Sequence, residues 1–181
     1  MARRQLSLDP TLLLDELEAY HQDVVSSLQL YFSPTAPTFT ARFAGEPQDQ
    51  VVSTLKSRLD ETDVRSTLAV LTSLEARFRV DFDIRCTRRL KDPLLFYFRK
   101  IWKVCGVGKG RGNRVRLDED ILEGWKMHTT ASTLIIGELR GAFRFRHWLA
   151  HGRYWNVERK YDFEYVHLMA NTLVSGFQFT V

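Results

Sequence analysis

Cysteine is almost absent from this sequence: Cys86 and Cys105 are the two thiols in 181 residues. Two cysteines so far apart make neither a disulfide framework nor a thiolate metal centre, which needs more ligands at closer spacing. A chain without disulfides suits a reducing compartment, so the sequence predicts a cytoplasmic protein. Long apolar runs are missing as well. No stretch approaches the roughly 18 apolar residues of a membrane span. The residues after Met1-Ala2-Arg3-Arg4 lack the apolar core of a secretory leader. A membrane partner is not expected. Proline is scarce, and three of its five occurrences (Pro34, Pro37, Pro47) crowd between residues 33 and 47, leaving long tracts free of helix breakers.

Acidic residues are missing from one region in particular. Between Arg85 and Arg116 stand eleven Lys or Arg residues against a single acid, Asp92, although the whole chain carries only +4. A local excess of one sign is the footprint of a polyanion partner, or else a solvated face balanced by acids elsewhere in the fold.

Apolar spacing at steps of three and four recurs almost throughout, so the sequence predicts an all-α chain. Leu17, Tyr20, Val24, Leu28 and Tyr31 define a first helix behind Pro10. The proline-rich tract then forms a loop, in which the alternation of Thr38–Phe43 suggests a short strand. A second helix is expected over 48–60 and a third from Asp63 to about Arg89, burying Val64, Leu68, Leu71, Leu74, Phe78 and Phe82. Asp92-Pro93 has the pattern of a cap followed by proline in the first turn, opening a helix through Trp102. Asp118 starts a short helix with Ile121, Leu122 and Trp125. The strongest pattern runs from Ser132 to His151 and stops at Gly152, and a last helix covers 162–176. The length fits a single domain, 1–181.

Two segments carry chemistry. Residues 105–114 hold glycine at four alternating positions, Gly106, Gly108, Gly110 and Gly112. The spacing is not that of a P-loop, which requires Gly-Lys followed by Ser or Thr. What the segment offers is Lys109, Arg111 and Arg114 on an exposed backbone, suited to phosphate contact. The second segment, Arg144 to Trp155, contains two of the five histidines, three arginines and four aromatics. His147 and His151 are four apart and share a helix face. Metal ligands use that spacing too, but no Asp, Glu or Cys stands nearby as a third ligand, and the arginines repel a cation. No metal or other cofactor is expected. Histidine transfers protons near neutrality and arginine grips phosphate oxygens, and together they suffice for RNA cleavage through the 2′-hydroxyl.

The run Arg146-His147-Trp148-Leu149-Ala150-His151-Gly152 resembles the signature of the HEPN superfamily: Arg, a polar residue, and a His a few positions on. Leu74-Glu75-Ala76-Arg77-Phe78-Arg79 is similar to a stretch on an earlier helix of some members, and the order of helices is similar across most of the chain. The resemblance implies an antiparallel helical bundle of HEPN type with extra helices. It further implies a homodimer with a shared cleft and metal-independent endoribonuclease activity on single-stranded RNA, in a toxin or phage-defence setting.

Carried over, Arg146 and His151 are the catalytic pair, with His147, Glu75 and Arg79 in support and Arg144, Arg153 and Tyr154 on the RNA. Glu75 and Arg79 also have the spacing of an ordinary intrahelical ion pair. A regulatory partner such as an antitoxin fits that setting. However, the tyrosine that some members carry two residues after the histidine is Arg153 here, with Tyr154 one position later. The alternative is a catalytically silent HEPN domain that binds RNA or nucleotide and supports a partner protein. A basic DNA-binding helical protein is a third reading, without a helix–turn–helix pattern to favour it. On an ideal helix, Arg146 and His151 point about 140° apart.

Overall fold

The computed structural model describes residues 14–88, 91–105, 115–130 and 132–180. Among them every regular element is helical, as the apolar periodicity requires: α1 (Leu14–Tyr31), α2 (Phe39–Arg42), α3 (Gln48–Arg88), α4 (Pro93–Cys105), a π-helical segment (Leu117–Leu122) running directly into α5 (Glu123–His128), α6 (Thr133–Ala150) and α7 (Phe163–Gly176). The chain is all-α.

Helix α3 organises the rest. It spans 41 residues, about 60 Å at 1.5 Å per residue, and α1, α4, α6 and α7 all pack on it. Three sets of polar contacts fix directions. His21 Nδ1 lies 3.0 Å from Ser66 Oγ, while Val24 and Thr62 line the same groove as Leu17 and Ala69, so α1 runs antiparallel to α3. Arg146 meets Glu75 and Arg153 meets Glu61, so α6 is antiparallel as well. The Phe163 amide donates to Asp63 and the Thr180 amide to Asp81, so α7 runs parallel to α3. The core between them contains Leu71, Leu74, Phe78, Phe98, Trp125, Ile136, Leu139, Phe145, Val166 and Leu173, all nearly inaccessible. Trp148 and Leu149 are also buried.

The structure differs from the sequence reading in two elements. Residues 39–42 form one helical turn where a strand was expected. No partner strand exists among the described residues. Helical spacing instead stacks Phe43 on Phe32 and sets Phe39 beside Phe43, while Arg42 bonds the Tyr31 carbonyl and the Thr38 hydroxyl. The expected break between a second and a third helix is also absent. Asp60-Glu61-Thr62-Asp63 looks like a helix boundary because it is polar, yet no Gly or Pro interrupts residues 48–88. Thr62 Oγ1 donates back to the Arg58 carbonyl and Glu61 pairs outward, so the backbone ladder continues.

At the far end of α3, Asp81 is fully buried and holds Arg85 at 2.8 Å. Arg85 also reaches Asp92 at 3.0 Å and the Gln178 carbonyl, and Thr180 donates twice to Asp81. Asp92 in turn caps α4 through the Leu95 amide, as its place before Pro93 foretold. This network ties the chain's last residues to α3 and α4. It also corrects the count of the basic stretch, because Arg85 is buried and paired and Arg116 is paired with Glu119.

Candidate functional site

Helix α6 carries the candidate residues, and its ends are well defined. The Ser132 hydroxyl accepts from the Leu134 amide at the start. At the finish the His151 amide bonds the His147 carbonyl and the Arg153 amide bonds the Trp148 carbonyl, across Gly152 at φ +88°. That six-to-one bond over a left-handed glycine is a Schellman ending. Arg153 itself sits at φ +60°, a conformation that costs a side-chain-bearing residue about 1 kcal/mol or more. Its guanidinium is anchored on Glu61 at 3.1 Å.

Because the helix stays regular through Ala150, it separates Arg146 from His151. Arg146 faces α3, where Nη1 lies 2.9 Å from Glu75 Oε2; 29% of the Arg146 side chain remains exposed. Glu75 Oε1 simultaneously accepts from Arg79 Nε at 2.7 Å, and Arg79 extends to the Val115 carbonyl. One carboxylate therefore serves two guanidinium groups. Glu75 touches the candidate arginine directly, whereas Arg79 reaches it only through Glu75. The Nε of Arg146 is buried without a hydrogen-bond partner.

The opposite side of α6 presents the histidines. His147 and His151 are both exposed, their ring centroids 4.1 Å apart. Arg144 precedes them by three and seven residues, so all three lie within about 60° on one face. The chain then folds back, so that Trp155 approaches His147 at 5.9 Å between centroids and its carbonyl accepts from Trp148 Nε1. Tyr154 stands 80% exposed with its ring against Trp155. The structure thus brings together Arg144, His147, His151, Tyr154 and Trp155 on one surface, and Arg146, Glu75 and Arg79 on another side of the same helix. Arg153 is drawn away toward Glu61. Lys109, Arg111 and Arg114 lie outside the described residues.

Neighbouring charges act on Glu61, which bonds Arg153 and Arg65 and is held below the ordinary carboxylate range by those two guanidinium groups. Away from α6, burial lowers the His21 pKa, and its ring stacks on Phe163 at 3.9 Å. Burial likewise raises Asp63, which accepts the Phe163 amide. His167 also stacks with Phe163, at 5.5 Å between centroids, and His128 lies against Tyr97. These three histidines pack against aromatic rings. Burial pushes the Cys86 thiol up to about 12, which leaves it no thiolate at neutral pH. Among the described residues no three His, Cys, Asp or Glu side chains are placed to share a metal ion.

Sequence reasoning found the histidine pair and Glu75 but missed Trp155 as part of the same surface. The fold-back of residues 151–155 depends on Gly152 and on Glu61, 92 residues before Arg153. Compared with known proteins, the chain matches no family model, no curated protein and no solved structure.

Proposed function

We propose that this chain is a metal-independent endoribonuclease of HEPN type that cleaves single-stranded RNA, acting as a toxin or phage-defence effector. The observation that carries the reading is the exposed His147–His151 pair, rings 4.1 Å apart, at the end of the helix that also holds Arg146 against Glu75. His151 removes the proton from the ribose 2′-hydroxyl, and the 2′-oxygen attacks phosphorus. The bond to the 5′-oxygen breaks, and that oxygen takes up a proton, leaving a 2′,3′-cyclic phosphate and a 5′-hydroxyl. Arginine stabilises the charge that builds on the phosphoryl oxygens.

Attacking and leaving oxygens lie on opposite sides of phosphorus, whereas His147 and His151 approach from one side. The second proton carrier therefore comes from another copy of the chain, and the active form is a homodimer with a cleft drawn from both α6 helices. The same arrangement relieves the 140° divergence of Arg146 and His151 within one chain. His147 contacts phosphate or orients His151. Cytoplasmic location and control by an antitoxin or other regulatory partner belong to this reading.

One observation favours the alternative of a silent domain that binds RNA or nucleotide in support of a partner protein: Arg146 is already committed to Glu75, on a different face from His151. Incubation with mixed RNA in excess chelator separates the two. Products ending in a cyclic phosphate support the nuclease; intact RNA that is nonetheless bound supports the silent domain.

A further inference from the structure

Beside the histidine face lies a cavity of about 370 Å³, within the range of small-molecule sites. Its floor is the surface of α6 at Gly137 and Gly141, and its far wall is residues 155–159. A Cβ at Gly141 would stand 2.2 Å from the Tyr161 hydroxyl, so glycine there lets Tyr161 close the base of the cavity. A Cβ at Gly137 would meet nothing within 4 Å; the mouth is open where a larger side chain would fill it. Trp155 joins the cavity to the histidines, since it lines the one and packs toward His147 of the other.

The charges around the cavity are unevenly satisfied. Glu138 is occupied by Arg159 at 2.8 Å and by the Tyr165 hydroxyl at 2.9 Å. Arg144, Asn156 and Glu158 also line the cavity, and none of these three side chains has an ion-pair or hydrogen-bond partner among the described residues. A cation, an amide and a carboxylate around one indole form a set with a matching ligand. A guanine base presents two adjacent donors, N1–H and N2–H₂, that a single carboxylate accepts together, and an O6 that an amide can donate to. Adenine, cytosine and uracil lack the paired donors. The base face stacks on an indole, and arginine takes the attached phosphate.

We propose that this cavity is a guanine-binding subsite, which selects the nucleotide held next to the histidine pair. Glu158 reads the Watson–Crick edge, Asn156 meets O6, Trp155 stacks and Arg144 holds the phosphate. As the specificity site of a nuclease, the proposal rests on the function proposed above; as a nucleotide site, it is testable without cleavage.

Titration calorimetry of the full chain with the four ribonucleoside 3′-monophosphates, which contain no bond to cut, provides the test. Guanosine 3′-monophosphate is expected to bind at least about tenfold tighter than the other three, the share of a hydrogen-bonded charge. Glu158→Gln should erase that preference. Gly137→Leu should abolish binding of all four while keeping or raising the thermal midpoint, because leucine replaces glycine in a helix. Equal binding of the four, no binding, a preference that survives Glu158→Gln, or binding that survives Gly137→Leu would each overturn the proposal. Guanine binding without RNA cleavage keeps this site and removes the nuclease. Cleavage without any base preference, in a protein that binds no mononucleotide, does the reverse.

Discussion

Glu75 on α3 holds Arg146 on α6 at 2.9 Å, the contact through which the central helix fixes the candidate arginine. The carboxylate is 15% exposed and shared with Arg79, so neither guanidinium is a free surface charge. Glu75→Gln would leave two cations facing a neutral amide. A stability loss of about 1–2 kcal/mol is expected, between the small worth of exposed pairs and the larger cost of breaking buried ones. Urea denaturation measures it; an unchanged midpoint would show the pair to be idle.

RNA cleavage is the central expectation. Wild-type protein in excess chelator should cut single-stranded RNA to 2′,3′-cyclic phosphate ends and leave DNA intact, because DNA lacks the nucleophile. His151→Ala and Arg146→Ala should each reduce the rate about a hundredfold or more, with His147→Ala costing less. Cleavage that needs added metal, or that persists without His151, would sink the mechanism.

The proposed in-line attack calls for a homodimer. Light scattering at micromolar concentration should give twice the chain mass, with or without RNA. A strict monomer that still cleaves RNA would remove the shared cleft.

His21 supplies a pH dependence of stability. Burial lowers its folded pKa below the ordinary 6.5, so the unfolded chain binds more protons between the two values. Stability therefore rises with pH through that window and falls on acidification below about 6.5, by at most about 1.4 kcal/mol per pH unit for one group. Asp63, whose pKa burial raises, has the opposite slope at lower pH, near the carboxylate range. Thermal midpoints of wild type and His21→Gln between pH 7 and 5 should converge as pH falls; parallel curves would contradict the assignment.

The glycine-rich basic stretch gives a salt-dependence test. Replacing Lys109, Arg111 and Arg114 together should weaken RNA binding and reduce the log–log salt slope by about 2, at about 0.7 per lost phosphate contact on a single strand. Unchanged affinity and slope would mark these residues as solvated surface only.

Most helices were legible from local pattern. The apolar steps on α1, α6 and α7, the Asp92 and Ser132 caps, and the stop at Gly152 are all encoded within a few residues of where they act. Where a boundary depended on what a segment packs against, local pattern misled. Thr38–Phe43 alternates like a strand but folds as a helical turn because Phe32 offers its ring to Phe43. Asp60–Asp63 resembles a cap but stays inside α3, where Glu61 is needed by Arg65 and Arg153.

The sequence by itself determined the all-α class, the adjacency of His147 and His151 and their separation from Arg146 around the helix, since 3.6 residues per turn fixes all three. Tertiary structure alone decided that Arg85 is buried against Asp81, that Arg146 rests on Glu75, and that Trp155 returns to the histidine face. The Arg146 contact depends on how distant helices pack, and the Trp155 fold-back is anchored on α3, 92 residues before Arg153. No local pattern records these, because they arise only once burial of the apolar faces has set the helices side by side.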